Sequence, residues 1–265
     1  MQILYNDKEI NYTDSGKGNT LVFLHGFTET LNMWKAFSKK LSEQFRVVCI
    51  DLPGHGQSEC IDEVHSMELM ADVTKHVLDK LSVNECVVIG HSMGGYVALS
   101  FTRKYGKLLK GLGLFHSSAA SDTEQAKEGR MRAVEVIKKN HVDFLLNFIP
   151  DLFAPENRDK FKKEIELLLV EAKKIPVEGI IAALLGMKDR PESTDVLEKI
   201  KQPVMFIAGH KDSRIPLKAV QTQLTLPETS YSLLLKNSGH MGYIEKKEKT
   251  LQFVNDFANA CFNKA

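Results

Sequence analysis

The sequence predicts an α/β fold: a mostly parallel central sheet flanked by helices, with a helical segment inserted after the sixth strand. Three observations predict it. Short apolar, β-branched runs recur along the 265 residues and end in glycine or polar residues; helical patterns separate most of them; and one stretch, 121–200, carries helical patterns without a convincing strand. Continuous apolar runs fit strands covered on both faces. Strands alternating with helices fit an open α/β sheet.

Taken in order, "QILYN" and "EINYTDSG" suggest a hairpin at the sheet edge. Strand-like runs follow at 20–26 ("TLVFLHG"), 45–54 ("FRVVCIDLPG"), 85–92 ("ECVVIGHS") and 110–117 ("KGLGLFHS"). Helical patterns lie between them at 33–44, 67–81 and 94–106. Two more runs, 202–212 ("QPVMFIAGHKD") and 231–240 ("YSLLLKNSGH"), precede a last helix at 245–262. Residues 1–120 and 201–265 therefore form one core, interrupted by 121–200. Within the interruption, Phe144, Leu145, Phe148, Ile149, Leu152 and Phe153 fall on one helical face, and Ile180, Ile181, Leu184 and Leu185 repeat the pattern. Pro150, Pro155, Pro176 and Pro191 mark boundaries, so four or five short helices are expected.

Composition excludes several functions. With 35 basic and 34 acidic residues the net charge is +1, which gives no pull toward a polyanion, so no nucleic-acid partner is expected. No apolar run approaches a membrane span. The opening "MQILYNDKEI" lacks the basic and apolar regions of a signal peptide. Cys49 and Cys86 sit in strand-like runs as expected buried thiols, and no CxxC pair occurs. A cytoplasmic location is the corresponding expectation.

The chemistry is concentrated in "VVIGHSMGGYVAL", 87–99. Gly90-His91-Ser92-Met93-Gly94 fits G-x-S-x-G between a strand and a helix, the context that gives this motif its meaning. The turn holds the serine in a strained conformation, and the glycines remove side chains that would collide across it. A serine hydroxyl is a weak nucleophile and needs a base oriented by an acid. His240 follows the last strand-like run, at the edge where Ser92 lies. Asp212 follows the penultimate run and is the chosen acid; Asp51 and Asp122 are its rivals, Asp51 in a turn and Asp122 as a possible helix cap. Oxyanion donors are expected from the backbone N–H groups of Met93, at a helix N-terminus, and Phe27, after His25-Gly26. His25, His55 and His91 are expected to shape the site through hydrogen bonds, while His65, His76 and His141 fit helix or surface positions. Candidate substrate contacts are His25 and, from the insertion, Phe148 and Leu152. Asp189 and Arg190 read as a hinge or a surface pair. No histidine–cysteine spacing suggests a metal, and no cofactor is expected.

In order and spacing, "LHGF", "DLPGHGQS", "GHSMGG", "PVMFIAGHKD" and "SGHM" resemble the landmarks of the α/β-hydrolase superfamily over nearly the whole chain. The resemblance implies a small serine esterase with 121–200 as its variable cap. Family members that hydrolyse epoxides or haloalkanes carry aspartate where Ser92 stands. The menaquinone-pathway lyase expects arginine at Tyr96 and a ring of arginines for its acidic substrate, which is not evident here. Carbon–carbon hydrolases of aromatic breakdown usually carry asparagine at His91. A carboxylic ester with a small or medium, apolar acyl group is the expected substrate. Thioesterase, perhydrolase and carbon–carbon hydrolase activities remain alternatives on the same triad. So do a ligand receptor on a hydrolase scaffold and a cofactor-free lyase or oxygenase. The sequence leaves the oligomeric state open.

Overall fold

The computed structural model describes residues 1–263. The N-terminal hairpin pairs β1 (Gln2–Tyr5) with β2 (Lys8–Ser15). Asn6 and Asp7 close it at φ 48° and 61°, the left-handed conformation that suits a two-residue turn to strand twist. The remaining strands are β3 (Thr20–Leu24), β4 (Arg46–Ile50), β5 (Cys86–His91), β6 (Leu109–Phe115), β7 (Val204–Gly209) and β8 (Ser230–Leu235). They form one sheet in the order β1-β2-β4-β3-β5-β6-β7-β8, antiparallel at the two β2 pairings and parallel elsewhere.

Alternation along each strand divides the core into two layers. Val22, Leu24, Val48, Val88 and Phe206 face one side. Leu21, Phe23, Val47, Ile89 and Met205 face the other. Helices α1 (Lys35–Leu41), α2 (Met67–Lys80) and α3 (Met93–Tyr105) follow the β3, β4 and β5 strands. α2 and α3 cover the first side through Met70, Val77, Val97 and Phe101. α1 and the C-terminal helix cover the second. Cys49 and Cys86 are buried in this core, where desolvation pushes both thiols up to about 12 and leaves them inert.

Between β6 and β7 all regular structure is helical: α4 (Glu124–Phe148), α5 (Lys162–Ala172), α6 (Val177–Lys188) and α7 (Thr194–Lys199), with 3₁₀ turns at Pro150–Leu152 and Pro155–Asn157. The first helix is longer than the sequence suggests and is kinked at Asn140 (φ −159°, ψ 94°). Asn140 Oδ1 accepts from the N–H groups of Val142 and Asp143, so it caps the second half as a new helix. The expected shared face from Phe144 to Phe153 is divided, because the helix stops before Pro150. Phe144 and Phe148 stack on each other at 5.2 Å, while Leu145, Ile149 and Phe153 turn into the second core layer. The chain closes with α8 (Leu217–Gln221), α9 (Gly242–Glu245) and α10 (Lys247–Phe262); the first two are too short to show a period in sequence. Among the described residues no helix is long and apolar enough to cross a membrane.

Candidate active site

Ser92 stands between β5 and α3 at φ 50°, ψ −114°, a conformation that L-residues rarely adopt. The glycines make the turn sterically possible. A Cβ on Gly90 would lie 2.1 Å from the Gly94 carbonyl group, and one on Gly94 would lie 2.4 Å from the Leu24 carbonyl oxygen. The Ser92 N–H donates to Phe115 O (2.9 Å), and Ser117 Oγ donates to Ser92 O (2.9 Å), so the strained residue is fixed to β6. Met93 opens α3, and its N–H has no carbonyl within the helix to receive it. Across the turn, Phe27 N–H takes no part in the bonds that hold its loop: Gly26 N–H to Glu29 Oε2 (2.9 Å) and Glu29 N–H to Gly26 O (3.2 Å).

Asp212, just beyond β7, is fully buried with four donors converging on it. His240 Nδ1 lies 2.9 Å from Oδ2 and 3.0 Å from Oδ1. His116 Nδ1 lies 2.8 Å from Oδ2, and the N–H groups of Arg214 and Ile215 reach Oδ1 at 2.8 and 2.9 Å. Burial alone would raise this carboxyl's pKa. The His240 charge and the hydrogen bonds from both imidazoles override it and hold the carboxyl far below the ordinary range. His116 is neutral, lowered by burial to about 4, so its Nδ1 carries the proton and its buried Nε2 is left unpartnered. One potential ligand atom from each of His116, Asp212 and His240 lies within 4.8 Å of the others, as a metal set would, but imidazole–carboxylate hydrogen bonds account for that closeness.

A second buried layer supports the first. His91 Nδ1 faces Glu29 Oε2 at 2.7 Å and its Nε2 faces the His240 carbonyl at 3.0 Å. Both neighbours are acceptors, so the ring donates from both nitrogens as an imidazolium. Burial opposes the charge on either partner, but the pair's mutual attraction dominates: His91 is raised and Glu29 lowered. Tyr243 Oη donates to Glu29 Oε1 (2.8 Å). A Cβ on Gly26 would lie 2.4 Å from Glu29 Oε2 and 2.7 Å from His91 Nδ1, which explains the glycine in "HGF".

A cavity of about 360 Å³ joins these parts. Ser92, His240, Phe27, Phe148 and Leu152 all line it, together with Arg130 and Arg214. His25 does not. It is completely buried, with Leu52 N–H donating to Nε2 (2.9 Å) and Nδ1 facing Gly26 O (2.8 Å), so it ties two loops together and is not a substrate contact. His55 is buried beside it and lowered to about 3 by desolvation. His65 is likewise buried, not a surface residue, and lies in the loop before α2. Among the rival acids, Asp51 clamps loops by accepting from Asn11 Nδ2, Leu31 N and Gln57 N. Asp122 is held by Arg130 and Arg190, and Thr123 takes the cap of α4. Arg190 is no surface residue: it is buried over the Tyr96 ring at 3.9 Å.

A family profile described as alpha/beta hydrolase fold matches residues 19–176. The chain belongs to the α/β hydrolase family. The hydrolase is 27% identical over 260 residues to the AB hydrolase superfamily protein YisY of Bacillus subtilis, covering 93% of this chain and 94% of that one. It is 26% identical over 267 residues to the 2-hydroxy-6-oxononadienedioate/2-hydroxy-6-oxononatrienedioate hydrolase of Escherichia coli K12, covering 94% and 90%. Among solved structures, the malate-bound thermophilic esterase of Thermogutta terrifontis superposes with a TM-score of 0.91 at 32% identity, covering 96% of this chain and 94% of that one. The enol-lactonase of Burkholderia xenovorans LB400 shares the fold, with a TM-score of 0.90 at 18% identity, covering 97% of this chain and 99% of that one.

Sequence reasoning about the hydrolase missed His116, Glu29, Tyr243, Arg130 and Arg214. His116 carried a usable signal, since it directly follows β6 at the same sheet edge as Ser92 and Asp212. Arg214 lies two residues beyond Asp212 and could have been suspected. Glu29 and Tyr243 offered none, because 214 positions separate them.

Proposed function

We propose that the hydrolase cleaves a carboxylic ester by acyl transfer through Ser92, His240 and Asp212. One observation carries the reading. Ser92 sits on a strained turn and lines the same cavity as His240, whose far nitrogen is bonded to a buried, ionised Asp212. Likeness to the Thermogutta terrifontis esterase supports the ester as substrate class. In this mechanism Ser92 Oγ attacks the carbonyl carbon while His240 Nε2 takes its proton. Asp212 fixes the tautomer with the proton on Nδ1 and stabilises the imidazolium. The N–H groups of Phe27 and Met93 receive the oxyanion, each worth roughly 3 kcal/mol in the transition state. His240 returns its proton to the leaving alcohol, then activates water to release the acid. The insertion acts as a cap, placing Phe144, Phe148 and Leu184 over the substrate.

The test is labelling with a fluorophosphonate together with turnover of a 4-nitrophenyl ester. Ser92 is the expected single labelled residue, and Ser92→Ala is expected to lower kcat by up to about a millionfold, with little further loss on adding His240→Ala. Labelling that persists in Ser92→Ala overturns the assignment. A second reading, hydrolysis of an oxo-dioate of the kind named for the Escherichia coli relative, uses the same residues. It is favoured if such a compound is turned over and simple esters are not.

A further inference from the structure

The insertion and the loop after β7 together bring positive charge to the cavity in an economical arrangement: two carboxylates, each shared by two arginines. Asp122 is held by Arg130, through Nε and Nη2, and by Arg190 Nη1 at 2.6 Å. Asp151 receives Arg158 Nη2 at 2.9 Å and Arg214 Nη2 at 2.8 Å. Each triplet therefore carries one unbalanced positive charge. The pairings also differ in which member is free. Arg190 is consumed by its fold contacts, donating further to Ala120 O and Met187 O while covering Tyr96. Arg130 and Arg214 are the members that line the cavity beside Ser92.

Arg214 is the more available. A guanidinium has five N–H donors. Among the described residues only its Nη2 has an acceptor, and the Phe148 ring centre lies 4.6 Å from its central carbon. Neither Glu29, which lines the cavity, nor Asp212 behind it meets this demand. Glu29 is saturated by His91, Tyr243 and Gly26, and Asp212 by its two imidazoles and two N–H groups. What is left is a planar cationic fork on an apolar wall, in the same chamber as the nucleophile. A carboxylate matches that fork in shape and charge.

We propose that the preferred substrates are esters that also carry a free carboxylate, bound by Arg214 with Arg130 adding to the field. This goes beyond the ester with a small or medium, apolar acyl group expected from sequence, and it rests on the reading of Ser92 as acyl acceptor.

Two matched pairs test it: 4-nitrophenyl hydrogen glutarate against 4-nitrophenyl pentanoate, and 4-carboxyphenyl butyrate against phenyl butyrate. They place the anion on the acyl and the alcohol side. In at least one pair kcat/KM is expected to favour the anionic ester by about tenfold or more. That ratio should fall by about tenfold in Arg214→Gln and recover in part in Arg214→Lys. A ratio at or below one in both pairs, or a ratio unchanged in both Arg214→Gln and Arg130→Gln, overturns the proposal. Calorimetric titration of glutarate and glutaramide into Ser92→Ala separates this from the hydrolytic reading. Glutarate binding that is lost in Ser92→Ala/Arg214→Gln, with no ester turned over by the wild type, upholds the carboxylate site and removes the esterase. Equal binding of the diacid and the diamide removes the carboxylate site.

Discussion

At the scale of single residues, Asp212 is unusual in serving two histidines. Only His240 reaches the cavity, so His116 acts as a positioning residue that takes up part of the carboxylate's hydrogen-bonding capacity. Removing it should leave that carboxylate, and with it the His240 ring, less firmly held, so kcat is expected to fall by about tenfold in His116→Ala while KM changes little. His116→Asn, whose amide can donate from nearly the same place, should restore most of kcat. Equal kcat for all three proteins would reduce His116 to packing. Glu29 and His91 make a different kind of prediction, about stability. A lowered carboxyl contributes above its unfolded pKa, ~4.3, and that contribution is lost as pH falls through the folded value. A raised imidazole contributes fully below its unfolded pKa, ~6.5, and loses that contribution as pH rises through its folded value. The pair therefore stabilises most between about pH 4.5 and 6.5. Glu29→Gln leaves a buried imidazolium without its counter-charge, and an expected cost of about 3–5 kcal/mol should peak in that window. Urea midpoints measured from pH 4 to 9 check the shape.

At the scale of elements, the candidate site depends on where strands stop. Phe27, Ser92, His116, Asp212 and His240 all follow the carboxyl ends of parallel strands, the edge at which α/β sheets place ligands. The insertion helices then divide their apolar residues by role. Phe144, Phe148 and Leu184 line the cavity, whereas Ile181 and Leu185 on α6 pack against the first core layer. α6 can lie so close because Gly179 and Gly186 meet the backbone at Gly54 and His65, where a Cβ would approach carbonyl oxygens to 2.1 and 1.8 Å. Phe148→Ala should therefore change the ratio of kcat/KM for acetyl and medium-chain esters, by roughly 1–3 kcal/mol per methylene newly accommodated. Ile181→Ala should lower stability with little change in that ratio. If the two substitutions shift selectivity equally, the insertion does not select substrate through its cavity face.

At the scale of the whole molecule, the insertion is built into the core rather than laid upon it. Val134 and Ile137 of α4 belong to the first hydrophobic layer; Leu145, Ile149, Phe153 and Ile165 belong to the second. His240 N–H donates to Leu152 O at 2.7 Å, and a Cβ on Gly239 would lie 2.5 Å from Ala154 N, so the loop carrying His240 is braced by the insertion itself. Both parts should unfold together. Trp34, the one tryptophan, is buried in the second layer between Phe23 and Phe37, and reports the sheet. Far-UV circular dichroism reports mainly the helices. Coincident transitions by the two probes are expected. An earlier loss of helix than of Trp34 fluorescence would show an insertion that opens by itself.

The sequence by itself determined the strands, the main helices, the strand-free stretch between the sixth and seventh strands and the turn at Ser92, because each is written in contiguous residues. Apolar runs, glycine spacing and helical periods act over a few positions and need no partner from elsewhere. That Asp212 lies just beyond a strand was also legible. Tertiary structure alone decided which histidines are near the reacting groups and which are clamps, and whether the cavity is charged. His116 and Asp212 are 96 positions apart, and Arg130 and Asp122 draw in Arg190 from 68 positions away. Such groups meet only because parallel strands end at one edge and the insertion folds back over it. The energy of each contact depends on a burial that no local pattern encodes.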